Sequence, residues 1–262
     1  MTEQTWIRVR DEGPARVLSL DRPGTSNALE AGLVSALTSA VEDAPAQGAR
    51  ALVLSGEGRH FCAGAHLGEL EELAGADDDA RLADARRLAT LYRAVLRSPL
   101  LTVAAVRGAA YGGGLGLAAA CDLVVAAPAA RLQFSEVRLG FVPALISVFL
   151  PRRVPVARLA ALFLDPRPLT AGEGAAAGLV DEVVEDPLAR AVQRAREVAA
   201  KAAPSAVEAT KRLLLDLHVR NLDEALEHAA RVNAAQRAHP ECRRGVAAFL
   251  SQRAFPDWST AQ

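Results

Sequence analysis

Apolar and polar side chains alternate over residues 6–10 and again over 16–20, on either side of the turn Asp11-Glu12-Gly13-Pro14. A period of two belongs to a half-buried strand, so this segment reads as a strand pair. The period then lengthens. Leu29, Leu33, Ala36, Leu37 and Val41 fall on one helical face, which predicts a helix through Val41 with Ser26 or Asn27 as its N-cap. Residues 51–54 are a short apolar run, read as a buried strand, that ends in Ser55-Gly56-Glu57-Gly58. After the acidic loop Asp77-Asp78-Asp79 a helical pattern runs from about residue 80 to 96. A strand over 101–106, a glycine cluster, a brief helix over 113–120 and a strand over 123–126 follow. Beyond Pro187 the pattern is helical only, over about 188–201, 205–219, 222–238 and 241–252, with Pro204 and Pro240 near helix starts. The expectation is an α/β chain: a strand-rich core over 1–187 and a helical region over 188–262, packed as one unit, with no internal repeat and no linker.

Bulk properties narrow the class. Hydrophobic residues make up 51% of the 262 positions and charged residues 23%, which suits one sizeable folded core rather than a disordered chain. No apolar run approaches the roughly 18 residues of a membrane span, and the opening residues carry no secretion signal. With a net charge of −1 and scattered arginines, the chain lacks the basic face of a nucleic-acid binder. Three widely spaced cysteines, Cys62, Cys121 and Cys242, fit a reducing cytoplasm better than a disulfide framework.

Three segments carry candidate chemistry. In the stretch from Leu52 to Leu67, Phe61-Cys62-Ala63-Gly64-Ala65-His66 joins a strand to a helix through small residues, which lets a ligand approach free backbone N–H groups. A plain strand-to-helix connection would look the same. In the second, Tyr111-Gly112-Gly113-Gly114-Leu115-Gly116 opens a short helix with the same permissiveness. Its G-x-G-x-x-A pattern imitates a dinucleotide fingerprint, but the helix is too short and no acid follows about 20 residues on. The third, Phe134-Ser135-Glu136-Val137-Arg138-Leu139-Gly140, sets Glu136 in an apolar context, where a carboxylate is either partnered or functional. An ion pair with Arg138 or a helix-terminal charge is the alternative. His60, Cys62 and His66 do not make a metal site, because no fourth ligand is spaced nearby.

Together these segments resemble the enoyl-CoA hydratase/isomerase (crotonase) superfamily over nearly the whole chain. Leu20-Asp21-Arg22-Pro23, Asn27-Ala28-Leu29, Phe61-Cys62-Ala63-Gly64-Ala65, Gly112-Gly113-Gly114, Ser135–Pro143 and the block from Leu169 to Val184 follow the family's order. The resemblance implies a crotonase-like spiral of ββα units with C-terminal helices that cover the site and build homotrimers or homohexamers. It implies an acyl-CoA substrate, with coenzyme A as part of that substrate and no tightly bound cofactor. The thioester oxygen would sit between the N–H groups of Ala65 and Gly113, roughly 2.7–3.1 Å from each, with the helix dipole behind Gly113. The coenzyme would lie along Ala63, Ala65, His66, Leu67 and Gly68, and Tyr111, Gly112, Gly116, Ser135 and Leu139 would border the acyl group. Residues 76–96 and 144–151 would line its tunnel. Glu136 is the expected acid/base.

Two positions depart from the family pattern. Gly116 stands where hydratases carry a first catalytic glutamate, and His66 where an aspartate is usual. Single-glutamate members resembling methylglutaconyl-CoA hydratases also exist, and the Ser-Glu-Val-Arg-Leu-Gly run is similar to theirs. A hydratase or dehydratase of a short or branched 2-enoyl-CoA is the leading expectation. The alternatives are a Δ3,Δ2-enoyl-CoA isomerase, a CoA lyase, and an acyl-CoA-binding paralogue without turnover. At Gly116 the expectation is open space, so that Gly116→Glu would bring a second carboxylate beside Glu136.

Overall fold

The structure is a computed structural model that describes residues 5–140 and 142–217 together with positions 240 and 244. The expected helix over 222–238, that over 241–252 except position 244, and the residue Cys242 lie outside the described residues. The strands are β1 (Ile7–Glu12), β2 (Ala15–Leu20), β3 (Ala51–Gly56), β4 (Leu101–Val106), β5 (Ala109–Tyr111), β6 (Leu123–Ala126), β7 (Arg131–Gln133), β8 (Leu169–Thr170) and β9 (Glu182–Val183). The helices are α1 (Ala31–Asp43), α2 (Leu67–Ala74), α3 (Asp78–Arg97), α4 (Gly113–Ala120), α5 (Ala144–Phe149), α6 (Val156–Leu164), α7 (Ala171–Ala177), α8 (Pro187–Lys201) and α9 (Pro204–Leu217). None of the described helices is long and apolar enough to cross a membrane.

The large sheet has the order β1-β2-β3-β4-β6-β9 and is parallel apart from the β1–β2 hairpin. Its central strands are buried on both faces, which explains their nearly continuous apolar sequences. Leu18, Leu20, Leu52, Leu54, Ala104, Val106 and Val124 face the main core with α1, α3 and α4. Ala15, Val17, Ala51, Val53, Val103, Ala105 and Val125 face Ala191, Val192 and Ala195 of α8. Leucine therefore fills the thick side, and alanine and valine let α8 lie close on the thin side. Lys211 of α9 pairs with Asp122 at 2.6 Å and donates to the carbonyl of Leu100 at 2.6 Å, which fixes α9 to the entry of β4.

A second, smaller layer has the order β5-β7-β8 and continues through two isolated parallel bridges, Cys62 with Ala110 and Leu29 with Ala65. Successive turns of the chain thus give one strand to the large sheet, one short pairing to the small layer, and then a helix: β4–β5–α4 is followed by β6–β7–α5. This is the ββα spiral. Parallel strands place their carboxyl ends on one edge, so the segments after β2, β3, β4 and β6 gather there, bringing Ala65, Gly113 and Glu136.

One expectation about helix starts is corrected. Neither Ser26 nor Asn27 caps α1; its N-cap is Glu30, and the exposed first N–H, on Ala31, donates to the Glu69 carboxylate at 3.0 and 3.2 Å. Asn27 is wholly buried and makes a different set of bonds. Its Oδ1 accepts from the Arg22 N–H at 2.8 Å, and its Nδ2 donates to the carbonyls of Glu57 and His60 at 2.9 and 2.8 Å. A left-handed backbone at φ +55°, which asparagine tolerates, aims the amide at those carbonyls.

Candidate active site

The site grows out of the small layer. In the bridge between Leu29 and Ala65 the Leu29 N–H donates to the Gly64 carbonyl at 2.7 Å. A parallel bridge is bonded through the residues flanking its centre, so the N–H of Ala65 itself points away from Leu29. On the neighbouring turn, Cys62 bonds the carbonyl of Ala109 and the N–H of Tyr111, while the Gly112 N–H donates to Gln133 at 2.8 Å. At Gly112 the backbone (φ +48°, ψ −123°) then swings into α4, a conformation that needs glycine, and Gly113 becomes the first helical residue, whose N–H has no partner within the helix. Gly64, at φ +92°, packs so closely that a Cβ there would stand 2.7 Å from the Tyr111 carbonyl and 3.7 Å from the Gly113 nitrogen. Two backbone donors, from Ala65 and Gly113, are thereby held by adjoining segments.

Glu136 reaches the same place through sheet register. Tyr111 pairs with Gln133 in the parallel β5–β7 ladder, so the chain leaves both strands side by side. Just past that exit, Glu136 opens a 3₁₀ turn over Glu136–Leu139, and its Oε1 lies 3.2 Å from where a Cβ on Gly112 would be. Its Oε2 is buried and has no hydrogen-bond partner among the described residues. Burial pushes its carboxyl pKa up, against a smaller opposing pull from the backbone of Glu136 and Ser135. Among the described residues no cation pairs with it, so the Arg138 ion pair does not form. A desolvated, unpaired carboxylate facing a glycine wall is costly unless it works.

Comparisons with known proteins identify the family. Residues 12–260 match the family model described as enoyl-CoA hydratase/isomerase. The chain is 39% identical over 249 residues to a Thermus thermophilus protein named "Putative enoyl-CoA hydratase", covering 93% of this chain and 97% of that one. Among solved structures, Pseudomonas aeruginosa AtuE superposes with a TM-score of 0.90 at 30% identity, over 98% of this chain and all 100% of its own. An enoyl-CoA hydratase/isomerase from Marinobacter aquaeolei gives 0.88 at 30% identity, over 97% and 99%. The chain belongs to the enoyl-CoA hydratase/isomerase family.

Within that family its two departures now have a structural account. Gly116 is buried inside α4, and the open space expected there is filled: a Cβ would meet Ile146 Cγ1 at 2.7 Å and the Tyr92 hydroxyl at 3.0 Å. The usual first glutamate could stand there only if Ile146 and the Tyr92 hydroxyl gave way. Tyr92, which the sequence reading passed over, is buried on α3. Its hydroxyl donates to the Gly113 carbonyl at 2.9 Å and its ring meets Phe149 edge-on at 5.2 Å. The only signal for it was a hydroxyl on the apolar face formed with Leu88, Leu91 and Val95.

His66 takes over a structural duty. It is the N-cap of α2, and its Nδ1 accepts from the Glu69 N–H at 3.2 Å. Such a cap is worth about 1 kcal/mol, and the same Glu69 serves the start of α1. His60 is also structural, its Nδ1 accepting from the Ala109 N–H at 3.0 Å. Among the described residues no group of histidine, cysteine and carboxylate side chains could hold a metal. Of the remaining candidates, Ala63 is tied to the Ser26 carbonyl at 3.0 Å, whereas Ala65, Leu67 and Gly68 are exposed along one rim. Tyr111 and Ser135 are half-buried beside Gly112, and Leu139 is exposed on the 3₁₀ turn.

Proposed function

We propose that this enzyme adds water to, or removes it from, the 2,3 double bond of a short or branched acyl-CoA thioester. The reading is carried by Glu136: a desolvated carboxylate with an unpartnered oxygen, next to the unspent N–H groups of Ala65 and Gly113. The thioester oxygen would accept from both N–H groups and gather negative charge as the reaction proceeds, helped by the positive end of α4. Water oxygen bonds to the β-carbon, and the double-bond electrons move onto the thioester oxygen as an enolate. Glu136 takes a proton from that water and returns one to the α-carbon as the enolate collapses. The coenzyme would run along the exposed rim from Ala65 to Gly68.

A second reading has support in the filled space at Gly116. A single carboxylate suffices to carry a proton between the α- and γ-carbons, so a Δ3,Δ2-enoyl-CoA isomerase is the alternative. Turnover of an enoyl-CoA panel in ¹⁸O-labelled heavy water separates them. The hydratase puts solvent oxygen on the β-carbon; an isomerase only exchanges α- and γ-protons; an acyl-CoA-binding protein does neither. Oxygen incorporation is the expected result.

The assembly we propose is a homotrimer or a pair of trimers. Val148, Val156 and Leu164, on α5 and α6, are each at least 70% exposed, an apolar set more fitting for a subunit contact than for water. Sedimentation at micromolar concentration should give a trimer or hexamer, and a clean monomer would refute the assembly.

A further inference from the structure

We infer that Tyr92 is a catalytic residue of this hydration, its hydroxyl oxygen holding the reacting water from the side of α4 while Glu136 holds it from the side of β7. The inference rests on the hydratase reading above. The Tyr92 hydroxyl stands where side chains from α4 would emerge toward the reacting carbons: Cβ atoms on Gly113 and Gly116 would lie 3.2 and 3.0 Å from it. On the other side of the Gly112–Gly113 peptide, a Cβ on Gly112 would lie 3.2 Å from Glu136 Oε1. The two oxygens thus flank one turn of glycine backbone, close enough for the carboxylate to act electrostatically on the phenol.

The hydroxyl is poised to accept. Its single proton is committed to the Gly113 carbonyl at 2.9 Å, which leaves the oxygen's lone pairs for a water proton. It also stays a hydroxyl: burial, with Cys62 and Glu136 nearby, drives its ionisation well above the ordinary tyrosine range. Tyr92 therefore gives and takes no proton during turnover, and the atoms balance through Glu136 alone. Apart from the bond to the Gly113 carbonyl, nothing in the packing calls for a phenol. Leu29, Leu88, Ile146 and Phe149 surround this position, and phenylalanine would fill it without burying an oxygen. The polar atom that the Gly116 backbone cannot supply comes instead from α3.

A plain structural role, with Tyr92 bolting the Gly113 carbonyl in place, makes a different forecast, because a loosened Gly113 would harm every reaction of the enolate. Two reactions of the Tyr92→Phe protein are compared: hydration of crotonyl-CoA, and exchange of the α-protons of butyryl-CoA in heavy water, which needs Glu136 and the enolate but no attacking water. Hydration kcat should fall about tenfold or more, the order expected for losing one hydrogen bond to the reacting group. KM should stay within about threefold and α-exchange within about twofold. Equal losses in both reactions, or no loss in either, overturn the inference. Should Tyr92→Phe not fold, 3-fluorotyrosine in a Tyr111→Phe background leaves Tyr92 as the sole tyrosine and weakens its oxygen as an acceptor. Measured against the same Tyr111→Phe protein made with ordinary tyrosine, hydration should drop while exchange is unchanged, and parallel behaviour of the two again overturns it. If the unaltered enzyme adds no water to any enoyl-CoA, the hydratase reading fails first and the role of Tyr92 falls with it.

Discussion

Replacing Glu136 by glutamine should cost turnover about 10²-fold or more, the low end of what a positioned acid/base group contributes, and leave the fold intact. Glutamine keeps the shape, and no ion pair among the described residues is lost with the charge. Its effect on stability has a definite sign. Burial holds the Glu136 pKa above its unfolded value, so the group costs stability as the pH rises from the unfolded value, and the loss is complete above the raised pKa. Any stabilisation of the variant should therefore show at neutral pH and disappear as the pH falls below the unfolded carboxylate range. The same shift places the acid limb of kcat/KM above the ordinary glutamate value, with activity falling as the pH drops through it. A pH–rate profile and melting curves at two pH values read all of this. Near-normal turnover in the glutamine variant would remove Glu136 from the chemistry.

Gly116→Glu should destabilise the enzyme rather than equip it with a second acid/base. Even the first carbon of the new side chain would stand 2.7 Å from Ile146 and 3.0 Å from the Tyr92 hydroxyl. Overpacking of this kind costs about 1–3 kcal/mol, and the carboxylate must then be accommodated in a helix buried from Gly114 to Ala120. A melting temperature lower by on the order of 5 °C or more is expected, together with reduced hydration. Ile146→Ala in the same chain should recover part of the loss, since it removes the nearer obstacle. A variant as stable as its parent and faster on crotonyl-CoA would mean that the α4 wall yields easily.

The contrast between Glu136 and Gly116 shows what the sequence could and could not convey. Strands over 101–106 and 123–126 and the helix over 113–120 were legible to the residue, because period and glycine punctuation are local. β5, β7, β8 and β9 were not, since two or three residues carry no period. Glu136 could be picked out by its apolar neighbours and its place in a family segment. Its lack of a cation depends on what other elements bring near it. Likewise Gly116 was visible as a departure, but its replacements, Tyr92 and Ile146, arrive from α3 and α5. The cap of α1 fails for the same reason: Asn27 is a good local capping residue, yet it is claimed by Glu57 and His60, and Glu69 from another helix takes its place.

The Asn27 amide also bears on how the site moves. It binds the turn after β2 to the turn after β3, while the Ala63 N–H holds Ser26 and the Leu29 N–H holds Gly64. These bonds interlock, so breaking one frees little chain until the others go as well. The wall that carries Ala65 therefore opens as one cooperative unit, at a cost well above that of an ordinary surface loop. Under the proposed function this makes it the stator of the site: the Ala65 N–H would already be in place when a thioester arrives, and admission and release of a bulky coenzyme would fall to elements outside this interlocked pair of turns.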